Sequence, residues 1–179
     1  LKSYPMFVKP AKAGSSVGIT KVKNREELLN GLKIAAKEDE KILVEESIVG
    51  KEVECAVLGN DKLIASTVGE IIPSGDFYDY ESKYISGTSG LNIPANISED
   101  IIKKIQKEAL KAYKVMGCKG LSRVDFFVQE GTQEIFLNEI NTFPGFTEIS
   151  MYPKLMEEKG IKIPELIDRL IELALENNQ

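Results

Sequence analysis

GLSRVDFFVQEGTQEIFLNEIN, residues 120–141, decides the reading of this chain. Two apolar-rich runs, 120–129 and 133–141, flank a turn at Gly131, which predicts an antiparallel hairpin. Side chains alternate along a strand, so Arg123, Asp125 and Phe127 share a face, as do Leu137, Glu139 and Asn141. With the turn centred on Gly131-Thr132, Asp125 falls opposite Glu139 and Arg123 opposite Asn141. Opposed carboxylates repel by about 0.2–1 kcal/mol even when exposed. The neighbouring Phe126, Phe127, Ile135, Phe136, Leu137 and Ile140 predict partial burial, where uncompensated charge costs several kcal/mol. A bound cation removes the conflict. Three hard oxygen donors, Asp125, Glu139 and Asn141, select Mg²⁺ or Mn²⁺ over zinc. The alternative is a solvated strand face on which Arg123 pairs with one of the acids.

Working outward, Ser98 caps a long helix whose stripe is Ile101, Ile105, Ala109, Ala112 and Met116, stopped by Gly117. Residues 51–58 and 62–70 read as strands joined by Gly59-Asn60-Asp61. Residues 5–9, 17–22 and 42–46 read as further strands. Between the last two lies a helix capped by Asn24 and Glu27, with Leu28, Leu32, Ala35 and Ala36 inward. A short helix spans 153–159, and Pro164 opens the last one, with Leu166, Ile167, Leu170 and Ala174 facing inward. Residues 73–90 show no period, and a structureless connection of that length is typical of a lid. Hairpins and amphipathic helices in mixed order predict an α+β protein with mainly antiparallel sheet.

Composition narrows the chemistry. The 179 residues carry 23 basic and 28 acidic side chains, a formal net charge of −5. That argues against a nucleic-acid or membrane-surface binder, which needs an excess of Lys and Arg. No apolar run approaches the ~18 residues of a membrane span. There is no histidine, which removes His-dependent nucleophilic triads, imidazole acid–base chemistry and most zinc sites. Cys55 and Cys118 form no CxxC pair and read as free thiols in a reducing cytoplasm.

Two further segments could serve a nucleotide. In KPAKAGSSVG, residues 9–18, Gly and Ser would let backbone N–H groups close round a phosphate, with Ser15 and Ser16 adding hydroxyls. It is no GxxxxGK[ST] loop and no helix follows it. Phe7 points with Lys9, setting an aromatic wall beside an ammonium; a plain Gly/Ser loop with a surface lysine is the alternative. The bend VEESIVGKE, residues 44–52, could present backbone N–H and C=O to a purine edge and a carboxylate to ribose hydroxyls. Exposed acids at a strand end are the alternative there.

Taken in order, VKPAKAGSSVGITKV, ILVEESIVGKEVECAVL, PSGDFYDYESKYIS, GCKGLSRVDFFV and FLNEINTFPGFTEISMYP resemble the D-alanine–D-alanine ligases of the ATP-grasp superfamily, over essentially the whole chain. The resemblance implies two α+β subdomains gripping ATP, with residues 1–50 in the central one and 51–179 in the C-terminal one. It assigns ATP binding to Phe7, Lys9, Ser15, Ser16, Glu45, Glu46, Ile48, Glu52, Lys83 and Phe127, and magnesium or manganese to Asp125, Glu139 and Asn141. Lys83 and Tyr84 would lie on a mobile loop, the lysine reaching the transferred phosphate. Arg123 and the Gly145 N–H would hold the oxyanion, and Ser150 and Met151 the carboxylate of the second D-alanine. Tyr84 favours D-alanine over D-lactate as acceptor.

The implied reaction phosphorylates one D-alanine on its carboxylate and lets a second displace phosphate, giving D-alanyl-D-alanine for peptidoglycan synthesis, in a cytoplasmic homodimer. Family members also carry an N-terminal glutamate that orients the first D-alanine, and a second phosphate-binding lysine. Neither is in this chain, which is expected to be a fragment that binds ATP but does not ligate alone. The alternatives are another ATP-grasp carboxylate–amine ligase and a non-catalytic nucleotide-binding module. A kinase-like phosphotransferase would need HRD and DFG motifs, which the sequence lacks.

Overall fold

The computed structural model describes residues 3–14, 16–72 and 90–176. They divide into two compact units, one within 3–49 and the other made of 50–72 and 90–176.

In the first unit, β1 (Met6–Pro10) is the middle strand of an antiparallel sheet, between β2 (Thr20–Val22) and β3 (Ile42–Glu46). Alternation sends Met6 and Val8 to one face, where they are buried with Val22 and Ala35. Helix α1 (Arg25–Ala35) closes that face, with Leu28 and Leu32 packed on the same cluster. Its cap is as expected: Glu27 N donates to Asn24 Oδ1 (2.9 Å), and Asn24 Nδ2 donates back to Glu27 Oε1 (2.7 Å). Ala36 turns out exposed, because the helix ends there. Strand β2 is shorter than 17–22. Ser16 (φ 63°) and Gly18 (φ 71°) both take left-handed backbone, which no strand accommodates, so this segment is a turn.

In the second unit five strands run antiparallel in the order β6-β5-β4-β7-β8: β4 (Gly50–Leu58), β5 (Ile64–Ile72), β6 (Gly90–Asn92), β7 (Leu121–Gln129) and β8 (Ile135–Asn141). Helix α2 (Glu99–Val115) covers one face, packing Ile101, Ile105, Ala109 and Tyr113 on Val53, Cys55, Val57, Val124, Phe126 and Val128. Burying each large apolar side chain there contributes about 1.5–3 kcal/mol. Tyr113, not Met116, completes the stripe: Met116 caps the helix and is exposed. The opposite face is partly covered by α3 (Met151–Glu158), whose Met151 and Leu155 press on Gly69 of β5. A Cβ at Gly69 would lie 2.6 Å from Met151 Sδ.

Helix α4 (Ile163–Glu176) buries Leu166, whereas Ile167 and Ala174 are exposed. Adjacent helical positions are about 100° apart, and the buried stripe of this helix is narrow enough to take Leu166 and leave Ile167 outside. The β7–β8 ladder holds one surprise. Its register runs Asp125↔Glu139 and then Phe126↔Leu137, leaving Asn138 as an extra residue. This bulge puts Leu137 opposite Phe126 and Phe136 opposite Phe127, so Leu137 does not share the face of Glu139.

Candidate functional site

In the first unit, Phe7 and Lys9 occupy the positions of β1 that alternate with the buried Met6 and Val8. Phe7 lies opposite Glu45 on one side and Lys21 on the other, and Lys21 Nζ stands 5.7 Å from the centre of its ring. Lys9 Nζ and Glu45 Oε2 are 2.8 Å apart, a diagonal cross-strand ion pair. The result is an aromatic surface edged by an ammonium and a carboxylate. Glu46 ends β3, and Ile48 sits half-buried in the link that follows. Ser16 is in the turn, where Val17 N donates to Gly14 O (3.1 Å) and Ile19 N to Ser16 O (3.4 Å). Those two N–H groups are spent within the turn. Ser15, Lys83 and Tyr84 lie outside the described residues.

In the second unit, ladder register gathers the chemistry on one sheet face. Glu52 is opposite Phe127, Glu54 opposite Asp125, and Asp125 in turn opposite Glu139, while Arg123 is opposite Asn141. Three carboxylates therefore stand in a row across β4, β7 and β8. Asp125 and Glu54 are almost fully enclosed, at 2% and 3% exposure, and Glu139 is open to solvent.

Arg123 binds this row together. Its Nε donates to Asp125 Oδ1 and its Nη2 to Asp125 Oδ2, both at 2.8 Å, a bidentate fork. Glu54 Oε2 is 3.0 Å from the same Nε. Burial works against the guanidinium's charge, but the hydrogen bonds from Asp125 and the charges of Asp125, Glu54 and Glu139 hold its pKa above the ordinary arginine value. Asn141 Nδ2 bridges the remaining gap, donating to Asp125 Oδ2 (2.9 Å) and Glu139 Oε1 (3.1 Å).

The row fits a hard divalent cation. Three carboxylates against one guanidinium leave two negative charges, which such an ion would neutralise. The donors are carboxylate and amide oxygens, once the Asn141 amide turns its oxygen inward. Among the described residues no group of three His, Cys, Asp or Glu forms a candidate metal cluster by itself; the set here is two carboxylates and an amide. The pairing of Arg123 with Asp125 foreseen as an alternative does occur, and Glu54 contacts the same guanidinium, yet a single cation does not neutralise three carboxylates.

Beyond β8, Gly145 is exposed in the loop before α3, and a Cβ there would lie 2.9 Å from Ser150 Oγ. Ser150 precedes α3 without capping it. Its hydroxyl instead accepts from Thr147 N (3.0 Å) and contacts Thr147 Oγ1 (2.9 Å). The Met151 side chain is buried against Gly69, so any polar role belongs to its backbone N–H, one of the unpaired donors of a helix start.

Sequence reasoning missed Glu54. In VECAV the acid reads as an interruption of a core strand; its signal is the two-residue step from Glu52, which places both on one face.

The family model described as "D-ala D-ala ligase C-terminus" matches residues 1–172. A D-alanine–D-alanine ligase of Acetivibrio thermocellus is 58% identical over 174 residues, covering 97% of this chain and 46% of its own length. One from Ruminiclostridium cellulolyticum is 59% identical over 176 residues, covering 97% and 47%. The chain thus spans about half the length of the curated relatives it matches. Among solved structures, the D-alanine-D-alanine ligase of Coxiella burnetii superposes with a TM-score of 0.85 at 41% identity, over 97% of this chain and 46% of that one. A D-Ala:D-Ser ligase from Enterococcus faecalis superposes at 0.86 with 46% identity, over 96% and 50%. The chain belongs to the D-alanine–D-alanine ligase family and corresponds to its C-terminal part.

Proposed function

We propose that the protein containing this chain joins two D-alanines at the expense of ATP, and that this chain supplies its nucleotide- and cation-binding residues. The observation that carries the reading is the Arg123, Asp125, Glu139 and Asn141 cluster on adjoining strands. The γ-phosphoryl group of ATP passes to the carboxylate of the first D-alanine, leaving ADP and an acyl phosphate. The amine of the second attacks the acyl carbon, the bond to phosphate breaks and the amine loses a proton. Asp125, Glu139 and Asn141 would hold Mg²⁺ or Mn²⁺, which supplies charge neutralisation at the phosphate oxygens.

The chain's own residues orient and stabilise. Lys9 pairs with phosphate, with Ser15, Ser16 and Lys83 as further phosphate contacts. Phe7, Glu45, Glu46, Ile48, Glu52 and Phe127 bind the nucleoside. Arg123 and the Gly145 N–H await the oxyanion, Ser150 and the Met151 N–H take the second carboxylate, and Tyr84 is the residue assigned to the preference for D-alanine over D-lactate. The division near residue 50, the homodimer and the cytoplasmic setting belong to the same reading.

The test is D-alanine-dependent release of phosphate from ATP, run on the whole protein and on this chain side by side. Activity of the whole protein that needs D-alanine, absent from the chain alone, supports the reading; phosphate release indifferent to D-alanine defeats it. D-Serine as acceptor is the second reading, favoured by the likeness to the D-Ala:D-Ser ligase, and comparing D-serine with D-alanine in the same assay decides between them.

A further inference from the structure

Glu54 has no task in the function just proposed, yet it is buried on the site face. It stands between Asp125 on β7 and Gly69 on β5 in the ladder, and Met151 and Leu155 press on Gly69. A carboxylate enclosed beside apolar side chains is costly unless paired. Its ion-pair partner is Arg123, 3.0 Å away through Nε. The single Nε hydrogen is directed at Asp125 Oδ1, so the Glu54 contact is Coulombic, and among the described residues the guanidinium's fork is hydrogen-bonded to Asp125.

That division matters because Asp125 is also the innermost cation donor. A carboxylate gripped by a bidentate guanidinium has few lone pairs left, and a divalent ion on it repels the guanidinium. Arg123 then needs a second anchor, or it leaves the site face. Glu54 is already in contact, is anionic, and stands outside the donor set.

We propose that Glu54 is the positioning residue for Arg123, retaining the guanidinium beside the reacting acyl group when a divalent cation takes Asp125. The inference rests on reading Asp125, Glu139 and Asn141 as cation donors.

The sequence has three arginines, Arg25, Arg123 and Arg169, so the side-chain Nε–H region of a ¹⁵N NMR spectrum is simple to assign. The chain is titrated with Mg²⁺ in the presence of a non-hydrolysable ATP analogue, following Arg123 Nε–H and the carboxyl carbons of Glu54, Asp125 and Glu139. The expected result is that the Arg123 signal shifts and stays sharp while the Glu54 carbon moves with it. In Glu54→Gln, the Asp125 and Glu139 carbons still respond to Mg²⁺, but the Arg123 signal broadens through exchange with water. In the whole protein, the same substitution lowers kcat about 10–100-fold with KM for ATP unchanged. An Arg123 signal that stays sharp in Glu54→Gln overturns the proposal. So does a Glu54 carbon that stays still in the unsubstituted chain while Arg123 shifts, a measurement that stands even if the variant does not fold. Asp125 and Glu139 carbons that ignore Mg²⁺ in the unsubstituted chain overturn the cation reading and the proposal with it.

Discussion

Asp125 and Glu139 face each other directly across the β7–β8 ladder, with the Asn141 amide hydrogen-bonded to both. Like charges so placed cost about 0.2–1 kcal/mol, a penalty that Arg123 relieves most strongly at Asp125, to which it is hydrogen-bonded. Glu139→Gln therefore stabilises the cation-free chain by that amount and removes the stabilisation that Mg²⁺ confers by mass action. Urea unfolding with and without Mg²⁺ measures both effects. A Glu139→Gln chain that is less stable without Mg²⁺ would speak against repulsion at this pair.

Lys9 and Glu45 neutralise each other at 2.8 Å, so a nucleotide bound here has to part them. Lys9→Met is expected to weaken ATP binding about tenfold, the worth of a hydrogen bond to a charged group, and to spare adenosine. Glu45→Gln is expected to weaken both equally. Calorimetric titration with the two ligands checks the pattern, and equal losses of ATP and adenosine in Lys9→Met would separate Lys9 from the phosphates.

Gly69 lies against Met151 and Leu155, with room for hydrogen only. Gly69→Ala is expected to cost about 1–3 kcal/mol by overpacking, and the loss should not add to that of Met151→Ala, since the two share one contact. Denaturant midpoints of the single and double variants measure this. Strict additivity would mean that Met151 does not press on Gly69.

The Cys55 thiol is pushed from its ordinary 9.0 up to about 12 by burial, against the pull of its hydrogen bonds to Ser66. Between those values the unfolded chain releases a proton that the folded chain keeps, so stability falls as pH rises from about 9 towards 12. The slope for one proton is about 1.4 kcal/mol per pH unit. Burial also raises Tyr113 and Tyr152, which adds loss in the same direction whatever stands at position 55. Cys55→Val should therefore show a shallower decline between pH 8 and 10.5. Identical declines would contradict the assignment.

The site was legible where two-residue periodicity suffices. The expected pairs, Asp125 with Glu139 and Arg123 with Asn141, are observed, but the turn alone does not produce them. It fixes Phe127 opposite Phe136 and Phe126 opposite Leu137, and the extra residue Asn138, which leaves no mark in hydropathy, then brings Glu139 opposite Asp125. Strand 17–22 misled because Ser16 adopts left-handed backbone that nothing in its side chain demands. On α4, a run of apolar residues on two faces hid which one is buried. Glu54 escaped because an acid between valine and cysteine looks like a flaw in a core strand until its ladder neighbour Asp125 is known.

The central claim is that Asp125, Glu139 and Asn141 hold a divalent ion. Mn²⁺ binding to this chain, read from the loss of free-ion signal in electron paramagnetic resonance with ATP present, tests it directly. The account predicts saturable binding that Asp125→Asn and Glu139→Gln each weaken at least about tenfold, as loss of a charged ligand should. Mn²⁺ bound equally well by both variants and the unsubstituted chain would contradict it.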